Sequence, residues 1–147
     1  MQTISTRETA VNDAPRCRIL IVEDDLIIAL DLEDMISDMG FDVVGLASGR
    51  DHALKLAPVC DIAFVDVNLS DGASGPEIGR VLAEQFGITV VFMTGNAEVV
   101  AAGVPGTLGV ISKPVSPRTV EDTLRYIIAG RANETMSAPS MLKVFAA

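Results

Sequence analysis

Five mostly apolar runs, CRILIV (17–22), FDVVGLA (41–47), DIAFVDV (61–67), ITVVFMT (88–94) and LGVIS (108–112), recur along the chain with helix-period segments between them. Runs of this length, rich in Val and Ile and apolar at their centres, read as strands buried on both faces. Their alternation with helical segments predicts a doubly wound α/β fold, a five-stranded parallel sheet with helices on both faces.

The segments between the runs carry helix signals of their own. From Leu26 to Met39 the apolar residues Ile28, Leu32, Met35, Ile36 and Met39 share one face, and Gly40 supplies a left-handed stop. DHALKLA (51–57) reads as a short second helix. Residues 76–86 form a third, with Ile78, Val81, Leu82 and Phe86 facing inward, and residues 97–102 a short fourth. The last helix takes Ser116 as N-cap and Pro117 as its first residue, buries Val120, Leu124, Ile127 and Ile128, and ends at Gly130.

A chain of 147 residues suffices for one such domain and not for two. A 49% hydrophobic fraction with only 4% aromatic residues suits a core of Val, Ile, Leu and Ala and excludes global disorder. The net charge of -9 repels phosphate backbones and anionic lipid, so nucleic acid and membrane are not expected partners. No apolar run approaches the ~20 residues that span a bilayer, and residues 1–16 lack a signal-peptide pattern, so the expected compartment is the cytoplasm. Cys17 and Cys60 are not in a CxxC arrangement and are expected to be free thiols. Residues 1–15 and 131–147, rich in Ser, Thr, Ala, Asn and Pro, read as tails around a domain of residues 16–130; the final SMLKVFAA is taken as a chain end rather than a partner-binding segment.

In open parallel sheets the functional crevice lies beyond the carboxyl ends of the strands. Here strand one ends in Glu23, Asp24 and Asp25, strand three in Asp66, strand four in Thr94 and Gly95, and strand five in Lys113 and Pro114. A single acid at a strand end is most often a helix cap, the role expected of Asp25. Several carboxylates brought together raise one another's pKa unless a cation intervenes, and a hard divalent ion, Mg²⁺ by preference, satisfies an all-oxygen set. Lys113 offers a second positive group, able to pair with Asp66 at rest and with an anion later.

The motifs ILIVEDD, FVDVNLSDGASG, VVFMTG and ISKPVSP, in this order and spacing from about Arg16 to Gly130, resemble the receiver domain of bacterial two-component response regulators. The resemblance implies a CheY-like strand order of 2-1-3-4-5. It implies that a sensor histidine kinase or histidine phosphotransfer protein donates a phosphoryl group to Asp66, and that Mg²⁺ is held by Glu23, Asp24, Asp66 and the backbone carbonyl of Asn68. Thr94 and Lys113 would bind phosphoryl oxygens, with the Lys113–Pro114 bond cis. Gly95 would leave the approach open, and Asn68 and Asn96 would tune hydrolysis.

Two features depart from the family pattern. Val110 stands where many receivers carry an aromatic switch residue, and FMTGN is only partly similar to a subgroup of stand-alone receivers. With no output domain expected after Gly130, the signal would leave through an unknown protein target, bound at the face of the fourth helix, fifth strand and fifth helix; a homodimer is left open. Such a chain assists its own phosphorylation and dephosphorylation and is not a turnover enzyme. A haloacid dehalogenase phosphatase needs a second Asp where Asn68 stands, and a nucleotide-binding module needs a Gly-rich loop after strand one. The remaining alternative is a degenerate receiver that binds a protein without being phosphorylated. His52 is expected on the surface.

Overall fold

In the computed structural model, which describes residues 17–69 and 74–146, the apolar runs form the expected strands. These are β1 (Arg18–Val22), β2 (Asp42–Ala47), β3 (Ile62–Asp66), β4 (Thr89–Thr94) and β5 (Gly109–Ser112). Four helices connect or follow them: α1 (Leu26–Asp38), α2 (Arg50–Leu56), α3 (Gly75–Phe86) and α4 (Pro117–Arg131). The parallel strands lie in the order β2-β1-β3-β4-β5, so the chain leaves β1 toward one edge and returns past it to build the other. The expected tail of residues 1–15, together with Arg16, lies outside the described residues, as do residues 70–73 of the FVDVNLSDGASG motif.

Alternation along each strand sends side chains to two cores. On one face Leu20, Val22, Ala63, Val65, Val90 and Phe92 pack with Ile78 and Leu82 of α3 and Ala53 of α2. On the other, Ile19, Ile21, Ile62, Phe64, Val91 and Met93 pack with α1 and α4 through Leu32, Ile36, Val120 and Leu124. Each such buried aliphatic or aromatic side chain contributes about 1.5–3 kcal/mol. The sheet is therefore fixed from both sides, and its carboxyl edge is a rigid platform.

Local chemistry sets the helix ends. The Asp25 carboxylate accepts from the Ile27 and Ile28 N–H groups at 3.0 and 3.3 Å, the cap expected of it. Gly40, at φ 91°, turns the chain after α1, and Ser116 caps α4 by accepting from the Thr119 N–H at 3.1 Å.

Several expectations need correction. The five parallel strands are as expected, but residues Leu142–Val144, expected in a tail, add a sixth strand, β6, antiparallel to β5. The expected fourth helix is a single 3-10 turn at Ala97–Val100, started by the Asn96 side chain accepting from the Glu98 N–H and followed by a chain reversal at Gly103, φ 89°. Ile28 is exposed, its place on the inner face of α1 being taken by Ala29; Phe86, at the solvent end of α3, is also exposed, and Ile128 is half-buried. Helix α4 runs one residue past Gly130, and the left-handed residue beyond it is Asn133 at φ 59°. Cys17 is half-buried and Cys60 buried, with no disulfide between them, and His52 is exposed.

Candidate functional site

The carboxyl ends of β1, β3, β4 and β5 converge on one pocket. Glu23 and Asp66 are each only 4% exposed, and Thr94 is fully buried. One carboxylate oxygen from each of Glu23, Asp24 and Asp66 lies within 4.8 Å of the others. Into this cluster β5 delivers Lys113, whose Nζ stands 2.9 Å from Glu23 Oε1 and 3.2 Å from Asp66 Oδ2. The Lys113–Pro114 peptide bond is cis.

The remaining oxygens are held by backbone. Glu23 Oε2 accepts from the Asp25 N–H at 3.1 Å, and Asp66 Oδ1 accepts from the Asn68 N–H at 3.1 Å. The acids are thus aimed by the turns that follow their strands. Burial pushes the Glu23 carboxyl pKa up, the bond from Lys113 opposes that, and the neighbouring Asp66 adds to the rise. For Lys113 burial works toward loss of its proton, yet the Glu23 bond and the Asp66 charge outweigh it and the net pKa is raised.

Thr94 lies at the end of β4, but its hydroxyl is engaged locally. It accepts from the Asn96 N–H at 3.1 Å and donates to the Asn96 carbonyl at 3.3 Å, which closes a small turn. Asn96 spends its carboxamide oxygen on the Glu98 N–H at 3.1 Å. Gly95 is exposed, and a methyl group added there would meet nothing within 4 Å. Asn68 is exposed on the turn after Asp66.

Sequence reasoning missed Gly75. A Cβ at this position would overlap the Asp66 backbone carbonyl oxygen, so the first turn of α3 lies directly against the end of β3. Gly79 has a similar task one turn later, where a Cβ would run into the Phe92 ring. The signal was present as small residues at i and i+4 on the inner face of a helix that crosses the sheet.

A wholly oxygen donor set beside a half-buried ammonium can hold a hard cation and then an anion, a combination that suits phosphate chemistry. A family model for the response regulator receiver domain matches residues 19–125. This chain belongs to the response regulator receiver family. The receiver is 35% identical over 118 residues to the phyllosphere-induced regulator PhyR of Methylorubrum extorquens, covering 78% of this chain and 43% of that protein. It therefore spans less than half the length of that relative. The solution structure of the PhyR receiver domain of Erythrobacter litoralis is 25% identical, with a TM-score of 0.69 over 83% of this chain and 96% of that one. A CheY-like receiver of Methanospirillum hungatei JF-1, 24% identical, gives a TM-score of 0.71 over 82% of this chain and 100% of that one, a likeness of fold. Receivers are signalling modules rather than turnover enzymes, and they typically bind Mg²⁺ at an acidic pocket. Among the described residues no helix is long and apolar enough to cross a membrane.

Proposed function

We propose that this receiver accepts a phosphoryl group on Asp66 from a phosphohistidine of a sensor histidine kinase or histidine phosphotransfer protein, in a Mg²⁺-dependent reaction that changes its partner binding. The observation that supports this most is the double pairing of Lys113 with Glu23 and Asp66. A cation already bonded to the acceptor carboxylate is positioned to follow the charge that carboxylate gains.

Glu23, Asp24, Asp66 and the Asn68 carbonyl would hold Mg²⁺, and the fit rests on the all-oxygen cluster. When bound, the ion withdraws charge from the transferring phosphoryl oxygens and from the carboxylates around them. A carboxylate oxygen of Asp66 forms the new O–P bond as the N–P bond of the phosphohistidine breaks, and the imidazole leaves with that electron pair. Lys113 shifts toward the new anion. The Thr94 hydroxyl leaves the Asn96 backbone and donates to another phosphoryl oxygen. Such transfer depends on positioning and electrostatic stabilisation more than on covalent help from the protein. Gly95 leaves the incoming imidazole or water unobstructed, and Asn68 and Asn96 flank that path, where a change of side chain would alter hydrolysis.

The output face would be the Ala97–Val100 turn, β5 and α4. Intact mass of the chain after incubation with Mg²⁺ and acetyl phosphate tests the proposal. A labile gain of about 80 Da in wild type and none in Asp66→Asn is expected.

A second reading, phosphorylation-independent protein binding, is favoured by Val110, which is 2% exposed and offers no large ring to swing inward. A partner captured equally well by wild type and Asp66→Asn would favour it.

A further inference from the structure

The C-terminal segment rests on the parts of the sheet that lead to Thr94 and Lys113. β6 runs along the outer edge of β5, with Leu142 opposite Ile111, Lys143 opposite Val110 and Val144 opposite Gly109. The Phe145 N–H extends the ladder by donating to the Leu108 carbonyl at 2.9 Å. Ile111 is two residues before Lys113. The Phe145 ring lies 6.4 Å, centroid to centroid, from that of Phe92, two residues before Thr94. A methyl at Gly103 would meet Phe145 Cβ at 3.5 Å, and the Gly103 N–H donates to Val100 at 2.9 Å, which closes the turn begun at Asn96. All three segments that feed the site therefore meet under one short strand.

The seat is shaped for backbone, and it is short. A Cβ at Gly109 would overlap the Lys143 carbonyl oxygen, so only glycine on β5 permits this approach. Leu142 is buried, Phe145 is half-buried, and Lys143 and Val144 are exposed. The strand is reached through residues 132–141, which form neither helix nor strand. A short edge strand anchored by one buried side chain and one half-buried ring opens more readily than the core strands beside it.

We infer that residues 142–145 are a detachable strap over the β5 edge, seated while Asp66 is a free carboxylate and released when it carries a phosphoryl group. The inference rests on the phosphoacceptor reading of Asp66. Movement of Lys113 toward the new anion pulls on β5, and departure of the Thr94 hydroxyl from Asn96 loosens the turn that ends at Gly103. Both motions reach the strap through residues it touches. Released, it leaves a row of unpaired N–H and C=O groups on β5, an edge suited to an extended strand of a partner protein. The strap and the site then influence each other reciprocally.

Hydrogen exchange read by mass spectrometry on the full chain in Mg²⁺, with and without acetyl phosphate, tests this, with intact mass giving the loaded fraction in each sample. Residues 142–145 are expected to exchange more slowly than 133–138 in the unloaded chain and about ten-fold faster once loaded. Equal exchange of 142–145 in loaded and unloaded protein, or no protection in the unloaded chain, would overturn the strap. Absence of any mass gain would overturn the phosphoacceptor reading and the strap together, an outcome distinct from normal loading without release. In Leu142→Asp the strap is unseated at a residue outside the site, and the steady-state loaded fraction is expected to rise roughly three-fold through that reciprocity. A fraction unchanged or lowered would mark β6 as structural only.

Discussion

Lys113 lies closer to Glu23, at 2.9 Å, than to Asp66, at 3.2 Å. In the metal-free chain the ammonium therefore does part of a metal's work, neutralising two buried acids at once. Its two roles conflict, because a cation that quiets the acids at rest also repels an incoming divalent ion.

Replacing Lys113 with Met separates those roles. Loss of the ammonium leaves Glu23 and Asp66 facing each other unpaired, which should cost the metal-free chain about 1–3 kcal/mol. Mg²⁺ should bind about ten-fold more tightly once the repulsion is gone. Denaturant melts in EDTA and a calorimetric Mg²⁺ titration measure the two effects. Weaker Mg²⁺ binding in Lys113→Met would show that the lysine organises the acids instead of competing for them.

Asp66→Asn removes one of the two acids that pair with Lys113. In EDTA the variant should be about 1 kcal/mol more stable than wild type, a rise of roughly 2–4 °C in melting temperature. Mg²⁺ should then raise the melting temperature of wild type by more than that of the variant. Equal shifts in the two proteins would place the ion elsewhere.

Two glycines near the site should respond in opposite ways. Gly75→Ala drives a methyl into the Asp66 carbonyl and should cost about 2–4 kcal/mol, since backbone on both sides must shift. Gly95→Ala meets open space and should change stability by less than about 0.5 kcal/mol. Its effect should appear in the rate of phosphoryl gain, where the methyl stands in the proposed approach path. Thermal melts and the rate of mass gain from acetyl phosphate distinguish them.

Burial pushes the Cys60 thiol up to about 11, helped by the Asp61 charge, and its Sγ donates to the Leu56 carbonyl at 3.1 Å. The folded thiol thus holds its proton more tightly than the unfolded one. Its contribution to stability is complete below the unfolded pKa near 9.0 and is lost as pH rises through about 11. Alkylation of native Cys60 at pH 8 should be at least ~10-fold slower than that of a model thiol, because so little thiolate is present. Mass spectrometry of iodoacetamide-treated protein reads this, and fast modification of Cys60 in folded protein would contradict it.

Most of the site was readable from sequence because each member ends or follows a strand, and strand ends in an open parallel sheet share one edge. The periods of 2 and 3.6 told helix from strand, but they located helix faces less well. The apolar period of α1 places Ile28 inward, whereas Ala29 is the buried residue there. β6 carries no period of its own, since its three residues are held by an edge ladder and by burial of Leu142, and the Phe92–Phe145 contact lies just beyond it. The bonding of Thr94 to its own turn is hidden for a different reason, since a hydroxyl at a strand end has several partners within reach and the sequence does not choose among them.

The most direct measurement of Asp66 chemistry is borohydride reduction of chain treated with Mg²⁺ and acetyl phosphate, followed by peptide mapping. An acyl phosphate is reduced to an alcohol, so residue 66 should be recovered as homoserine in proportion to the mass gained, and Glu23, Asp24 and Asp25 should be unchanged. Homoserine or its homologue at another acid, or none in a chain that gained mass, would show that Asp66 is not the acceptor.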